Sequence, residues 1–511
     1  MKYRENNGKV LMVNMVASLF TLVVNALINL LVMPYIVNCV GAEAYGYVSL
    51  ANNIVNYATI ITIALNSVSS RFIAIEVHRG NINKANMYLN SVLWADIFLC
   101  GVVMIFGILF TINIDRFLNI APTMLDDVRR LFFWLMVNLC LSVVGTVFTV
   151  ATYITNTLYL SSLANSVAIM LKAITMLLLF KALPASIEIV GVGAVVNSFL
   201  ILVFNFGFAK KLIPELSLGI RYFSLHSMKD MLSTGIWSSV TKLSATLSDG
   251  LDTVITNIYL SAQALGALSV AYTIPSLASQ LISAVSNLFN PQLTYYYANN
   301  DKAAIVRELK KNMKISGMFA CVIFCGIVSM GKKFFVLMVP DENIKLIYHL
   351  AVLSCISMVA SGITSALNNV FVLTNKLKVN SLVWLFVSIG DVLIVIALVK
   401  NTELGVYAVA GVSKIVGAII NLTYLPIYAC SCLEINKRTF YPLIARYIVV
   451  LVTCQVIFSV VSRLFVNSVS WGGFVVQGIF LGILGAIINF ILLLNKEERT
   501  YLMGGKHWIK K

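Results

Sequence analysis

Runs of about 20 apolar residues, the length that crosses a hydrocarbon core, recur from Leu11 to Asn495 with only short polar breaks between them. They fall at 11–35, 44–70, 89–113, 131–154, 162–181, 188–209, 233–256, 264–290, 315–331, 346–373, 380–400, 404–429, 443–463 and 473–495. The pattern predicts about fourteen transmembrane helices and an all-α polytopic membrane protein. The segments between the runs are too short to bury cores of their own, so no soluble catalytic domain is expected. The first run is long enough to span and no small-residue cleavage pattern follows it, so it reads as the first helix and not as a signal peptide.

Polar residues interrupt several of these runs at helical spacing. Helix eight carries Ser269, Thr273, Ser276, Gln280, Ser283 and Asn287, spaced by alternating fours and threes, which puts all of them on one face. Helix one repeats the pattern with Asn14, Ser18, Thr21, Asn25 and Asn29, helix two with Ser49, Asn53, Asn56, Ser67 and Ser70, and helix seven with Ser238, Lys242, Asp249 and Asp252. Hydroxyl and amide side chains also glue membrane helices together. Four long stripes, however, favour a shared water-filled cleft. Pro275 inside helix eight removes a backbone donor and is expected to bend that helix.

The striped helices are related to each other. AEAYGYVSLA (Ala42 to Ala51) opens helix two and AQALGALSVA (Ala262 to Ala271) opens helix eight, with five of ten positions identical at a shift of 220 residues. Six helices separate the copies, so both run the same way through the bilayer, as in a parallel repeat about an axis along the membrane normal. The expected organisation is a six-helix bundle over 1–209, a repeat of it over 210–429, and two further helices with a cytoplasmic tail over 430–511.

Composition agrees with a membrane protein: 59% of the 511 residues are hydrophobic, 11% are charged and the mean hydropathy is +0.90. With the N-terminus inside, most of the 37 Lys and Arg fall in inner segments, among them Lys210, Lys211, Arg221, Lys229, Lys302 to Lys314 and Lys496 to Lys511. Both termini are thus expected in the cytoplasm. The net charge of +16 is an orientation signal and an attraction to anionic lipid, not a nucleic-acid footprint. The nine cysteines include no CxxC pair, and the four histidines lie far apart, so no metal site, cofactor or catalytic residue is expected.

Charges inside the spans are few: Asp96, Lys172, Lys242, Asp249, Asp252, Asp391 and Lys414. Each would cost about 2.5 to 3.5 kcal/mol facing lipid near the bilayer centre, so each must face water or a partner. Lys242, with Asp249 two turns outward, and Lys172 in helix five are candidate cations for an anionic headgroup such as a phosphate. Asp391 and Lys414 reach the same depth on neighbouring helices and are expected to pair, as a staple or a gating element. Asp96, near the inner end of helix three, is expected to reach the headgroups.

PYIVNCVGAEAYGYVSLANNIVNYATI (Pro34 to Ile60), SVSSRF (Ser67 to Phe72) and the block from Ser233 to Leu281 together resemble the polysaccharide flippases of the multidrug/oligosaccharidyl-lipid/polysaccharide exporter superfamily, over the whole chain. The resemblance implies a V-shaped pair of six-helix bundles with a cleft lined by helices one, two, seven and eight. It implies alternating access in a bacterial cytoplasmic membrane for an undecaprenyl-diphosphate-linked oligosaccharide, with a polysaccharide polymerase as partner. The candidate cavity residues are then Asn25, Asn29, Asn53, Asn56, Lys172, Lys242, Asp249, Asp252, Thr273, Ser276, Gln280 and Asn287, with Asp249, Asp391 and Lys414 for coupling or gating. Lipid II flippases of the superfamily bind sodium through carboxylates on helices seven, eleven and twelve, and Lys414 departs from that pattern. A drug exporter of the superfamily is the nearest rival, although helices one and two lack the acidic residue that would hold a cationic drug. A membrane-embedded polymerase is a more distant one.

Overall fold

A computed structural model describes residues 8–287, 289–374, 376–463, 470–495 and 499. Each predicted span coincides with a helix. In chain order these are α1 (Gly8–Val40), α2 (Ala42–His78), α3 (Ile82–Ile112), α4 (Pro122–Ile154), α5 (Leu158–Ala182), α6 (Glu188–Leu212) and α7 (Leu225–Tyr259). The series continues with α8 (Ala262–Asn287), α9 (Lys302–Met338), α10 (Ile344–Leu373), α11 (Leu377–Asn401), α12 (Val406–Leu433), α13 (Tyr441–Ser462) and α14 (Trp471–Leu492). Among the described residues, twelve helices are long and apolar enough to cross a membrane, and α2 makes a thirteenth once its bent halves are joined. The remaining one, α7, is 35 residues long but interrupted by serines, threonines, Lys229, Lys242 and three aspartates. The protein is a multi-pass membrane protein. The cytoplasmic tail expected from Lys496 to Lys511 lies, apart from Arg499, outside the described residues.

Two compact units form. One comprises Met1–Ser269 with Ser381–Val406, the other Val270–Asn380 with Tyr407–Lys511. These units follow packing, whereas the halves expected at 1–209 and 210–429 follow the repeat. Lipid supplies no hydrophobic drive between helices, so close approach and polar bonds must hold them together. In the first unit α2 and α7 come close because Gly235 of α7 lies on the backbone of α2, where a Cβ would collide with the Ala64 carbonyl. Gly46 and Gly266, equivalent positions of the repeated segment, also meet: a Cβ on Gly46 would stand 2.8 Å from the Gly266 nitrogen.

The sharp bend lies in α2, 58° between Ala42–Ile60 and Thr62–Val77, while α8 runs as one helix through Pro275. A break strands a carbonyl, which costs several kcal/mol in hydrocarbon unless it is satisfied. Ser239 Oγ of α7 donates to the Ile60 carbonyl at 2.8 Å, at the break itself. The second unit packs α8 to α10 and α12 to α14 around one core that includes Ala278, Ile282, Cys325, Phe371, Tyr447 and Phe458.

The linker from α6 to α7 is bound along α3. Asn86 Nδ2 donates to the Glu215 carbonyl and its Oδ1 accepts from Ser217 N at 2.9 Å. Asn90 Nδ2 donates to the Ser217 carbonyl and its Oδ1 accepts from Gly219 N, both at 2.8 Å. Ser91 Oγ bonds both the carbonyl and the N–H of Ser224. Asn86, Asn90 and Ser91 are buried, so the α3 end of each bond is sheltered from water. The linker is a strap, not a loose tether. Asn90→Leu should release it at a cost of about 1 to 3 kcal/mol, because Ser217 and Gly219 lose their partners. Hydrogen exchange at the Gly219 amide would rise toward that of an open loop; unchanged protection would refute the strap.

Candidate functional site

On α8 the predicted stripe divides sharply by burial. Ser276, Gln280, Ser283 and Asn287 are exposed and Thr273 is half-buried, whereas Ala278 and Ile282 between them are buried in the core. A spanning helix that exposes amides and hydroxyls along one line must meet water there, since lipid would leave each of them unsatisfied. The contrast with α14 is direct: its exposed positions include Val475, Val476, Ile479, Phe480, Ile483 and Ile487, an apolar, lipid-facing set. Lys414 of α12 sits 5.5 Å from the Tyr272 ring of α8, a cation–π contact one turn from Ser276.

In the first unit the stripes split between glue and open face. Asn14, Ser18 and Thr21 of α1 hold α5: Asn14 bonds Asn156 and accepts from Tyr159 N, Ser18 pairs with Ser162 at 3.2 Å, and Thr21 bonds Ser162 and Ser166. These three bond the neighbouring helix, Asn14 from a buried position and Ser18 from an exposed one. Farther along α1, Asn29 Nδ2 donates to both the carbonyl and Oδ1 of Asn25 at 2.9 Å, and both residues are half-buried. On α2, Asn56 is exposed, while Asn53 donates to Thr253 Oγ1 of α7 at 2.9 Å.

Lys242 of α7 is half-buried, and its ammonium makes no ion pair among the described residues. Lys172 of α5 is likewise half-buried, with its stem beside Gly193 of α6. Asp252 is only 2% exposed, beside the buried Thr253, Thr256 and Asn257, so it belongs to the packed end of α7. The side chains of Ser238 and Asp249 lie outside the described residues. Asp391 is buried on α11, a helix zipped to α7 by Thr241 with Ser381 at 2.7 Å and by Ser388 with the Ser244 carbonyl at 2.9 Å.

Asp96 is a correction. Its side chain is fully buried and reaches no headgroup; Asn66 Nδ2 of α2 donates to both of its oxygens, at 3.1 and 3.0 Å. Thr146 of α4 in turn donates to Asn66 Oδ1 at 3.4 Å. Asn66 sits one position off the Ser67 stripe, which is why the stripe alone did not select it. Among the described residues, no group of three or more His, Cys, Asp or Glu could hold a metal ion.

The family follows from a match over more than half the chain: the model described as polysaccharide biosynthesis protein covers residues 11–291. The chain belongs to the polysaccharide biosynthesis protein family. A relative outside the solved structures is the uncharacterized membrane protein EpsK of Bacillus subtilis (strain 168), 26% identical over 496 residues, 96% of this chain and 97% of EpsK. The fold is shared with the lipid II flippase MurJ in its inward closed conformation, with a TM-score of 0.64 at 13% identity over 94% of this chain and 98% of that one. It is shared as well with a multidrug resistance MATE family transporter of the MOP superfamily in its inward-facing conformation, with a TM-score of 0.62 at 16% identity over 82% and 99%. A MOP superfamily transporter from Pyrococcus furiosus, whose structure is described as having a binding pocket of reverse polarity, gives 0.61 at 15% identity over 84% and 97%.

Proposed function

We propose that the protein flips an undecaprenyl-diphosphate-linked oligosaccharide from the cytoplasmic to the outer leaflet by alternating access, with both termini in the cytoplasm and in support of surface polysaccharide assembly. The observation that carries this reading is the exposed line Ser276, Gln280, Ser283 and Asn287 on a membrane-spanning helix. A diphosphate and several sugars cannot cross hydrocarbon unaided, because each desolvated polar group costs several kcal/mol. A wet, amide-lined helix face replaces their hydration. Lys242 and Lys172, cations without an ion pair among the described residues, supply charge for the diphosphate. Membership in the polysaccharide biosynthesis family supports the substrate class. Asp249, Asp391 and Lys414 are proposed as the coupling or gating group, and a polysaccharide polymerase as the protein that consumes the product.

The test is flipping in proteoliposomes of a fluorescent polyprenyl-diphosphate oligosaccharide, read as its protection from an external glycosidase. Gln280→Leu with Asn287→Leu should slow flipping about tenfold or more, the factor for each ~1.4 kcal/mol added to the barrier, while the thermal midpoint stays unchanged. Flipping at the native rate by a folded double variant would sink the reading.

A further inference from the structure

A cavity of about 550 Å³ opens within the first unit where α2, α3, the strap and the start of α7 converge. Its lining includes Leu65, Trp94, Ala95, Phe98, Ile220 and Phe223, apolar side chains almost throughout. The cavity opens at the surface of the unit, because its lining residues Phe98 and Ile220 are 70% and 71% exposed. Its volume falls in the range of small-ligand sites, about 300 to 1,000 Å³. The strap that forms one wall is held by Asn86, Asn90 and Ser91, so the space is preformed.

Two further features narrow the occupant. Trp94 lines the cavity, and its Nε1–H is buried without an acceptor among the described residues. Trp94 lies five residues inside the start of the third predicted span, at about 1.5 Å per residue the depth where tryptophans meet the bilayer interface. Around the strap Lys210, Lys211, Arg221 and Lys229 are all exposed, against Glu215 and Asp230. That excess of positive charge is complementary to anionic lipid.

We propose that this cavity binds one anionic glycerophospholipid of the surrounding bilayer, with an acyl chain in the apolar space, an ester carbonyl accepting from Trp94 Nε1 and the headgroup attracted by the basic residues about the strap. Burial of the chain discriminates little, since a lipid tail leaves one apolar medium for another. Selectivity between lipids therefore comes from the headgroup, while the indole donor holds the ester that all glycerophospholipids share. The site is separate from the polar stripe of α8 and does not depend on the transport reading.

The experiment uses the full chain in phosphatidylcholine nanodiscs, with Trp134, Trp237, Trp384, Trp471 and Trp508 replaced by Phe so that only Trp94 fluoresces. Phosphatidylglycerol with brominated acyl chains, at low mole fraction, should quench Trp94 about fivefold more than brominated phosphatidylcholine at the same fraction, the factor one nearby cation supplies. Ala95→Phe fills the cavity and should remove that excess, with helical circular dichroism and elution volume unchanged. Equal quenching by the two headgroups would mark ordinary boundary lipid and overturn the proposal, as would an excess that survives Ala95→Phe. Displacement of the brominated lipid by equimolar undecaprenyl phosphate would assign the cavity to the carrier lipid instead. Native mass spectrometry of the unsubstituted protein provides the second measurement: one retained phosphatidylglycerol, lost in Ala95→Phe, is expected, and none retained refutes the site.

Discussion

Gly235→Ala should lower the unfolding free energy by about 3 kcal/mol, the upper end of the usual overpacking penalty. The added methyl would land on the Ala64 carbonyl, which is backbone and cannot turn aside. To make room α7 must move off α2, which also loosens the bond from Ser239 to the Ile60 carbonyl at the α2 break. Gly46→Ala and Gly266→Ala should act in the same direction, since each new Cβ would stand within 2.8 Å of backbone. Gly101→Ala on α3 is the control: nothing lies within 4 Å of its Cβ position, and alanine is the better helix former by about 1 kcal/mol. Thermal unfolding in detergent separates the two. Equal midpoints for Gly235→Ala and Gly101→Ala would refute the close approach of α2 and α7.

Asn66→Ala should destabilise the first unit by about 3 kcal/mol, more than an ordinary hydrogen-bond deletion, because it strands a fully buried carboxyl group. Asn66 supplies both bonds to Asp96, so no oxygen of that side chain keeps this donor. Asp96→Asn removes the charge and keeps the shape, and should cost less. In the double variant Asn66→Ala with Asp96→Leu the two losses should fall short of additivity by at least ~1 kcal/mol, since the second change removes the group that the first stranded. Additive losses would show that the pair is not coupled.

Thirteen of the fourteen helices were legible because a bilayer imposes one length and one composition on a span, a pattern that α7 departs from. The stripes were legible for the same reason: polar residues in such a background stand out at helical spacing. What the spacing could not decide was the use of each residue. Thr21 and Asn25 are neighbours on one stripe, yet Thr21 bonds α5 and Asn25 bonds its own helix. Nothing in the sequence distinguishes a hydroxyl that meets a second helix from one that meets water, because the choice depends on which helix lies opposite. Asp96 was misread for a related reason. Its place near the end of a span suggested headgroups, but burial is fixed by the packing of Asn66 and Thr146 from two other helices. The segment that recurs at a shift of 220 residues was visible in the sequence, and its shared glycines, Gly46 and Gly266, lie close together.

The pinned strap has a practical consequence. The connection between α6 and α7 falls mid-chain and invites separation there, for split-protein reporters or for placing a fusion partner. That connection is held at Glu215, Ser217, Gly219 and Ser224 by side chains of α3. A cut or insertion between Ser217 and Gly219 would separate backbone groups that Asn90 holds together. A site in the turn at Arg79 and Gly80, where the chain is exposed between α2 and α3, spares that clamp and is the better place to open the molecule.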